Sequence, residues 1–409
     1  MTCRLFVING KLSIKKMNKS IVVLVNEVVG SVLATCRTLK RQYGAKTYVV
    51  CINSNYKPIF QCSRYIDSVS QIQAPDSSCL LIEMKNWYNK QNFHEPPILY
   101  FTDDHSCNLV NEQRNWYEQH FQVCLPSSFI VDSFTHKGIA ENVAEQNGLL
   151  IPQSKIAESN HDIQEIYDTF NFPVIIKPRC SELKKGLPFK KAKILTKDEF
   201  EEYTLPIIEK NATFICQEYI PGGDDKSYFY LFNRNSEGNI TECMGIKVLQ
   251  SPPGQGIMAI GKTIFNPCIS QISQTFLNRI NYVGIGGIEY KEYNNQYYFI
   301  EMNTRIEAII QITDDSNVSI PTESYLNYTT FSSPSTKNKI QKDNVFYIDF
   351  VPFIKAKINQ KRIISLFTDL IKICFSPSYK FNILSWKDPL PFFVNVAVVF
   401  NNKVLHNKK

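Results

Sequence analysis

Residues Gly286–Arg305, GGIEYKEYNNQYYFIEMNTR, carry the most informative pattern in this 409-residue chain. Two segments rich in β-branched and aromatic residues flank Asn294-Asn295, a pair that favours a tight turn, so a β-hairpin is predicted. Side chains in a strand alternate between faces. Glu301, Asn303 and Arg305 therefore share a side if the second strand stays extended that far. Oxygen ligands beside a guanidinium suit a hard cation and a bound anion.

Glu289, on the first strand, tests whether this hairpin can hold a metal ion. Residues opposite each other in an antiparallel pair share a face. A regular hairpin with a two-residue loop pairs Glu289 with Ile300 and puts it on the other face from Glu301. A three-residue loop or one β-bulge puts Glu289 opposite Glu301. We therefore expect a longer loop or a bulge, and a hairpin whose glutamates face solvent is the alternative.

Length and composition indicate a globular protein of two to three domains. Hydrophobic residues make up 44% and charged residues 20% of the chain, with a formal net charge of +7. Apart from short lysine clusters the basic residues are dispersed, so no nucleic-acid partner is expected. The 12 cysteines form no C-x-x-C pair, which favours reduced thiols and a cytoplasmic location. No apolar run has the length of a membrane span, and no membrane partner is expected.

The first part of the chain predicts a Rossmann-like α/β domain over residues 18–125, after an extension of residues 1–17. Ser20–Ile52 reads as strand, helix and strand, the pattern of a βαβ unit. Gly30 is the only glycine in the first turn. The G-x-G-x-x-G fingerprint of dinucleotide binding is therefore absent.

Further strands and loops are predicted after Leu125. FPVIIKP (172–178) and FICQEYIPGG (214–223) read as strands, the second running into a turn. The charged segment Cys180–Lys193 between them reads as a loop. Ser316–Asp343 is rich in Ser, Thr and Asn and is predicted to be a loop or linker.

The segment GIMAIGKT (256–263) matches the P-loop pattern G-x-x-x-x-G-K-[ST]. A P-loop leaves a buried strand and opens a helix whose first turn faces the phosphates. The preceding SPPGQ is not a strand, and Pro267 falls where the helix should continue. We therefore reject a P-loop.

Separated lysines give a more informative pattern, although each has an ordinary alternative. Lys177, in the apolar segment VIIKP, faces a desolvation cost unless an anion pairs with it, or it reaches solvent at the strand end. Lys137 falls at the start of a predicted helix. Lys247 on its own reads as a surface residue at a strand edge. QEYIPG (217–222) suits recognition of a base edge, or is an ordinary strand and turn.

The order of these segments resembles the ATP-grasp superfamily, and within it the carboxylate–amine ligases similar to D-aspartate ligase. The resemblance covers about residues 18–315 and implies a Rossmann-like domain followed by a two-subdomain ATP-grasp fold over 126–330. A lid is implied at about 175–222, and residues 331–409 form a linker and C-terminal segment in which WKDPLP is similar to the family. The matching stretches are TDDHSCNLVNEQRNWYEQHF, SFTHKG, FPVIIKP, QEYIPG, MGIKVLQSPPGQG and GGIEYKEYNNQYYFIEMNTR.

The resemblance also implies roles for individual residues. Mg²⁺, or Mn²⁺ in its place, would be bound by Glu289, Glu301 and Asn303. Lys247 would lie near the transferred phosphate, and Arg305 would face the acyl phosphate or a substrate carboxylate. The residues implied at the ATP site are Lys137 and Lys177 at the phosphates, Gln217, Glu218, Tyr219 and Ile220 around the adenine and ribose, and Asp225 at the ribose or substrate.

The implied activity joins a carboxylate to an amine through an acyl phosphate, with ATP and Mg²⁺. Small-molecule substrates, such as amino acids or peptides, and a homodimer are implied as partners. The Cys180–Lys193 loop would cover the phosphates as part of the lid. Two alternatives stay open: an ATP-grasp enzyme acting on bicarbonate, and a nucleotide-binding protein that has lost catalysis.

Overall fold

The computed structural model describes residues 6–8, 11–13, 19–135, 137–178, 192–209, 213–254, 256–329, 340–360 and 363–406. Two short strands at the start, β1 (Phe6–Ile8) and β2 (Lys11–Ser13), pair with each other. Three larger sheets form the body of the described molecule.

The first large sheet is parallel throughout and has the order β5-β4-β3-β6-β7. Its central strands are continuous apolar runs buried on both faces, because helices cover each side. This is the Rossmann-like arrangement that the βαβ pattern predicts. Its elements are β3 (Ile21–Val25), α1 (Gly30–Tyr43), β4 (Thr47–Ile52), α2 (Lys57–Gln61), β5 (Ser68–Ile72), α3 (Ser77–Asn89), β6 (Ile98–Phe101), α4 (Asp104–Glu112), α5 (Arg114–His120) and β7 (Gln122–Val123).

Two helices lead to a small antiparallel sheet of order β10-β9-β11-β8 with an apolar core of its own. Helix α8 begins with a capping box in which Ser159 and Asp162 satisfy each other's backbone amides. The elements are α6 (Ser128–Thr135), α7 (Lys137–Gln146), β8 (Ser154–Ala157), α8 (Asn160–Thr169), β9 (Val174–Pro178), β10 (Ala192–Ile194), α9 (Lys197–Glu209) and β11 (Phe214–Glu218).

The third sheet has the order β16-β15-β12-β13-β14-β17-β18, and its last two strands come from the C-terminal part of the chain. Its pairs are antiparallel except β17 with β18. The elements are β12 (Ser227–Arg234), β13 (Ile240–Ser251), β14 (Ile257–Thr263), α10 (Pro267–Arg279), β15 (Gly284–Tyr293), β16 (Gln296–Asn303), α11 (Gln311–Asp315), α12 (Ile320–Asn327), β17 (Phe346–Ile348), α13 (Phe350–Asn359), α14 (Ile363–Phe375), β18 (Tyr379–Phe381) and α15 (Leu390–His406).

Two expectations about local structure have clear outcomes. Rejection of the P-loop is confirmed, because residues 257–263 form strand β14 and not a loop opening a helix. The expectation of a loop over Ser316–Asp343 is wrong for α12. Ser319 caps this helix, and Ile320 and Tyr325 are buried, so tertiary packing outweighs the polar composition.

The C-terminal segment packs against the first domain through a buried ion pair. The Nε of Arg37, on α1, donates to Asp388 at 2.9 Å, and both side chains are more than nine-tenths buried. The Ser63 hydroxyl donates to the same carboxylate at 2.7 Å. Asp388 belongs to the WKDPLP segment, so this part of the tail anchors the third sheet to α1. Among the described residues, no helix combines the length and the apolar character needed to cross a membrane.

Candidate active site

The hairpin of β15 and β16 places Glu289 directly opposite Glu301. The loop itself has two residues, Asn294 and Asn295, which both adopt positive φ, as a tight hairpin turn requires. The register shifts beyond Tyr290, which pairs with Phe299, so that Ile300 is the extra residue of a β-bulge. The bulge alternative is therefore confirmed, and it puts both carboxylates on one face.

Lys247 reaches this face from β13, across the intervening strand β12. Its Nζ lies 2.6 Å from Oε2 of Glu289, and the lysine is 7% exposed. Burial alone would lower the pKa of Lys247, but the carboxylates of Glu289, Glu301 and Glu307 together outweigh burial and raise this pKa. Lys247 therefore stays charged beside the two carboxylates.

The side chains present fit a hard divalent cation. Glu289 and Glu301 face each other on adjacent strands, and Asn303 follows two residues later opposite Gly287. Two carboxylates held this close repel each other unless a cation lies between or beside them. Carboxylate and amide oxygens are ligands that Mg²⁺ accepts, with water and phosphate oxygens completing its shell.

Glu307 lies beside this cluster, where the sequence reading placed no functional residue. It accepts hydrogen bonds from the Asn303 amide and, at 3.4 Å, from Arg305. A Cβ at Gly287 would meet Cγ of Glu307 at 2.7 Å, so only glycine leaves room for this side chain. Glu307 thus adds a third carboxylate around the predicted cation ligands.

Arg305 follows the end of β16 and points to the first domain. Its Nε donates to Asp104 at 2.7 Å, while Nη2 lies 3.3 Å from Oδ1 of Asn303. Burial would lower the pKa of Arg305, but the carboxylates of Asp104 and Glu307 raise it. The next amide, that of Ile306, donates to the carbonyl of Phe101 at 3.0 Å. The cluster therefore abuts the carboxyl edge of the parallel sheet, the edge at which open α/β sheets bind ligands.

Lys177 on β9 is 6% exposed and belongs to a second buried polar cluster. Its Nζ donates to Glu141 on α7 and to the Gln217 side chain, each at 3.0 Å. Gln217 in turn donates to Glu141 at 2.8 Å, and Ser154 donates to the other Glu141 oxygen at 2.5 Å. An anion therefore pairs with Lys177, as its burial demands, and the Gln217 side chain orients this lysine.

The other predicted ATP-site residues lie around the end of β11. Glu218 is exposed, Tyr219 is half-buried, and Ile220 is buried. The ammonium of Lys193 lies 3.6 Å from the centre of the Tyr219 ring, a cation–π contact. Lys137 is the first residue of α7, but its side chain lies outside the described residues. Residues 180–191 of the predicted covering loop also lie outside the described residues, and its last two, Ala192 and Lys193, belong to β10 instead of a loop.

The connection from β11 to β12 is fixed by Lys291. Its Nζ donates to the carbonyls of Gly222 and Gly223, at 3.0 and 2.7 Å, and to Ser227. Asp225, predicted at the ribose or substrate, is exposed on the turn that follows. Its neighbour Asp224 instead accepts from the amides of Gln250 and Gly254. Lys291 and Asp224 thus order the two loops that flank the cluster.

Comparison with known proteins supports this reading of the fold. The family described as "Carbamoyl-phosphate synthase L chain, ATP binding domain" matches residues 248–316, which include the β15–β16 hairpin. No curated protein sequence gives a significant match.

Several solved structures share the architecture at low sequence identity. The ADP complex of an N5-carboxyaminoimidazole ribonucleotide synthetase has 13% identity and a TM-score of 0.63, covering 84% of this chain and 85% of that one. Biotin carboxylase from Campylobacter jejuni, in a β-γ-ATP complex, has 15% identity and a TM-score of 0.61, covering 81% and 75%. An L-amino acid ligase from Bacillus licheniformis has 12% identity and a TM-score of 0.58, covering 80% and 78%.

The chain has the ATP-grasp fold. Its α/β and α+β architecture, with a Rossmann-like domain before a two-subdomain unit, is the one that the resemblance implied, and this prediction is confirmed. Identities of this size show the fold alone.

Proposed function

We propose that this protein is an ATP- and Mg²⁺-dependent ligase that joins a carboxylate to an amine through an acyl phosphate. The observation that carries the proposal is the meeting of Lys247, Glu289 and Glu301 on one face of the hairpin. Cation ligands beside a buried ammonium suit transfer of a phosphoryl group. Arg305, next to them, suits a carboxylate or an oxyanion.

In the first step a carboxylate oxygen of the substrate attacks the γ-phosphorus of ATP, and the bond to the ADP oxygen breaks. Lys247 offsets the negative charge of the transferred group. Mg²⁺ held by Glu289, Glu301 and Asn303 would offset the charge of the phosphate oxygens and align them.

In the second step the amine nitrogen attacks the acyl carbon. The carbon–oxygen bond to phosphate then breaks, phosphate leaves, and the amine loses a proton to solvent or a nearby base. Arg305 stabilises the oxyanion of the tetrahedral intermediate. Its contacts with Asp104 and Glu307 hold the guanidinium in place.

The nucleotide is proposed to lie between the small antiparallel sheet and the seven-stranded sheet. Lys137 and Lys177 hold its phosphates in this proposal. The residues assigned to the adenine, ribose and adjoining substrate are Gln217, Glu218, Tyr219, Ile220 and Asp225. Gln217 acts there by orienting Lys177, since its side chain contacts that lysine and Glu141.

Bicarbonate is the second candidate substrate. Two of the structurally similar proteins are, by name, a carboxyaminoimidazole synthetase and a biotin carboxylase, and bicarbonate would occupy the place of the carboxylate. A nucleotide-binding protein without catalysis is the third candidate. The retained cluster around Glu289 argues against it, because a binder has no need of Lys247 at the transferred phosphate.

Phosphate release distinguishes these candidates. The protein is supplied with ATP and Mg²⁺, with amino acids and short peptides as carboxylates, and with hydroxylamine to trap acyl phosphates as hydroxamates. A carboxylate-dependent hydroxamate, seen by mass spectrometry, supports the ligase. Release that depends on bicarbonate alone supports the second candidate. A nucleotide-binding protein without catalysis is supported if no mixture of amino acids, peptides or bicarbonate causes ADP release and if Glu301→Ala leaves the ATP affinity unchanged.

Further proposals concern organisation and context. We propose the division at residues 18–125, 126–330 and 331–409, with the lid over about 175–222. We also propose that Mn²⁺ can replace Mg²⁺, that the protein is cytoplasmic and forms a homodimer, and that nucleic acid is not a partner.

A further inference from the structure

The positive charge of this chain is concentrated at its C-terminal end. Residues 350–409 contain ten Lys and Arg residues but only two acidic residues, Asp369 and Asp388. The preceding 349 residues contain 35 Lys and Arg residues and 36 Asp and Glu residues. Both acidic residues of the last segment are already paired, Asp369 with Lys357 and Asp388 with Arg37. The C-terminal segment therefore carries a net positive charge on a chain that is otherwise close to neutral, and its described residues Lys355, Lys372 and Lys387 are exposed.

Helix α14 in this segment is apolar on two sides. Leu366, Leu370 and Ile373 form an inner stripe that packs on the core beside α13. Ile364 and Ile371, two turns apart on another side, are 85% and 61% exposed. A helix that is apolar all round is normally covered all round. Ile364 and Ile371 therefore leave one apolar side of α14 uncovered by other described residues.

A second apolar stripe leads into α15. Trp386, in the turn before α15, is 90% exposed, and Leu390 and Phe393, in the first turn of α15, are 59% and 62% exposed. The neighbouring Phe392 packs on Phe350, so α15 has both an inner and an outer apolar side. Lys387 adjoins the exposed indole. Tryptophan is enriched at the interface of a lipid bilayer, and a lysine can bury its stem there while its ammonium stays in water.

Three occupants of this surface differ in what they would contact. Nucleic acid would use the lysines but gains little from exposed isoleucine, leucine and phenylalanine. A second copy in a two-fold dimer would bring the basic segment against itself, with like charges facing each other. An anionic bilayer satisfies both features, since acyl chains accept the apolar side chains and headgroups attract the lysines.

We propose that the described part of this segment, residues 350–360 and 363–406, docks on the surface of an anionic lipid bilayer. Trp386, Leu390 and Phe393 insert into the interfacial region, together with Ile364 and Ile371, and the surrounding lysines contact the headgroups. The contact is peripheral and leaves the predicted ATP site outside the bilayer. The proposal revises the expectation that the protein has no membrane partner, and it does not depend on the reaction proposed above.

Tryptophan fluorescence tests the proposal directly in the full-length protein. Of the three tryptophans, Trp87 is 7% exposed and Trp386 is 90% exposed. Vesicles of phosphatidylcholine with about 30% phosphatidylglycerol should shift the emission to shorter wavelength, and pure phosphatidylcholine should not. Trp386→Phe should abolish the shift. An emission spectrum that anionic vesicles leave unchanged contradicts the proposal.

Vesicle flotation gives the quantitative test. Replacing Trp386, Leu390 and Phe393 together by serine should lower the partition coefficient at least about tenfold, and about 0.5 M salt should lower that of the wild type. The matched control replaces Phe129 and Ile82, which are 68% and 58% exposed on α6 and α3, by serine. It should bind as the wild type does. Circular dichroism melts and ATP affinity should be unchanged in both variants.

Three results would overturn the proposal. One is equal binding of the wild type and the triple serine variant to anionic vesicles. Another is light scattering that shows a dimer only in the wild type, with no vesicle binding by either protein, since a second copy then covers the surface. The third is retention of a short DNA duplex by the wild type in the absence of vesicle binding.

Discussion

Arg305 and Asp104 form an ion pair of 2.7 Å between residues that are 201 positions apart in the sequence. The pair connects the end of β16 to the first residue of α4, at the carboxyl edge of the parallel sheet. The predicted cation ligands and the first domain therefore meet at one guanidinium.

Replacement of Asp104 should impair catalysis more than nucleotide binding. In Asp104→Asn the guanidinium loses its charged partner and the orientation that this partner imposes, so kcat for phosphate release should fall about 10- to 100-fold. ATP affinity should change less than about threefold, measured with a fluorescent analogue. Asp198→Asn, at an exposed position on α9, is the control. Equal kcat in Asp104→Asn and the wild type would refute a positioning role.

Loss of Glu289 or Glu301 should weaken Mg²⁺ binding. Each substitution by glutamine removes one anionic ligand, so the apparent affinity for Mg²⁺ in the presence of an ATP analogue should fall at least about tenfold. Titration calorimetry, or Mn²⁺ binding followed by electron paramagnetic resonance, measures this change. Glu292→Gln is the control on the same strand, because Glu292 pairs with Lys226 away from the cluster. Its Mg²⁺ affinity should match that of the wild type, and tenfold weakening there would indicate a general effect on the hairpin.

Lys177 should contribute to stability and to nucleotide binding in separable ways. Lys177→Met leaves the Glu141 carboxylate buried without its cation, which should destabilise the fold by about 3–5 kcal/mol. Adding Glu141→Leu removes the orphaned charge and should recover much of this loss. ATP affinity should stay low in the double variant. Urea unfolding and a nucleotide titration separate the two effects, and recovery of ATP binding in the double variant would argue against the phosphate role.

Lys291 should affect nucleotide affinity because it fixes the connection between β11 and β12, which follows the predicted adenine site. Lys291→Met removes the donor to two carbonyls after the predicted adenine site, so the KM for ATP should rise several-fold while kcat changes less. Lys291→Arg keeps the charge and should restore part of the affinity. A variant in which kcat falls and the KM for ATP is unchanged would place Lys291 in the chemical step instead.

Asp349, at the start of α13, should make stability depend on pH. Burial raises the pKa of Asp349 to about 6, although the hydrogen bond from Asn382 acts to lower this pKa. Because the folded state holds the proton more tightly than the unfolded state, burial of the ionised group costs stability above pH 6, and this cost disappears as pH falls towards 4. Asp349→Asn should gain on the order of 2 kcal/mol relative to the wild type at pH 7.5 and little at pH 4.5. Urea unfolding of both proteins at several pH values measures the difference, and a difference that is constant with pH would contradict the assignment.

Local pattern in the sequence determined much of the fold. The apolar runs of β3 and β4 separated by an amphipathic helix specify a parallel, doubly covered sheet, because such strands are stable only when both faces are buried. In a regular hairpin with a two-residue loop, Glu289 and Glu301 would lie on opposite faces. A shared cation site therefore required an irregularity in the hairpin. That requirement left open whether a three-residue loop or a bulge supplies the irregularity, since either restores the alternation of faces.

Only the tertiary structure decided which partners the charged residues take. The bulge lies at Ile300, and Glu141, Asp104 and Lys291 emerge as partners of Lys177, Arg305 and the β11–β12 connection. These contacts join segments far apart in the sequence, and no local periodicity encodes them. The sequence likewise contains the basic, apolar C-terminal segment, but the exposure of Trp386 follows only from what the remaining chain covers. Burial is a property of the packed whole, whereas strand and helix periodicity is a property of a few consecutive residues.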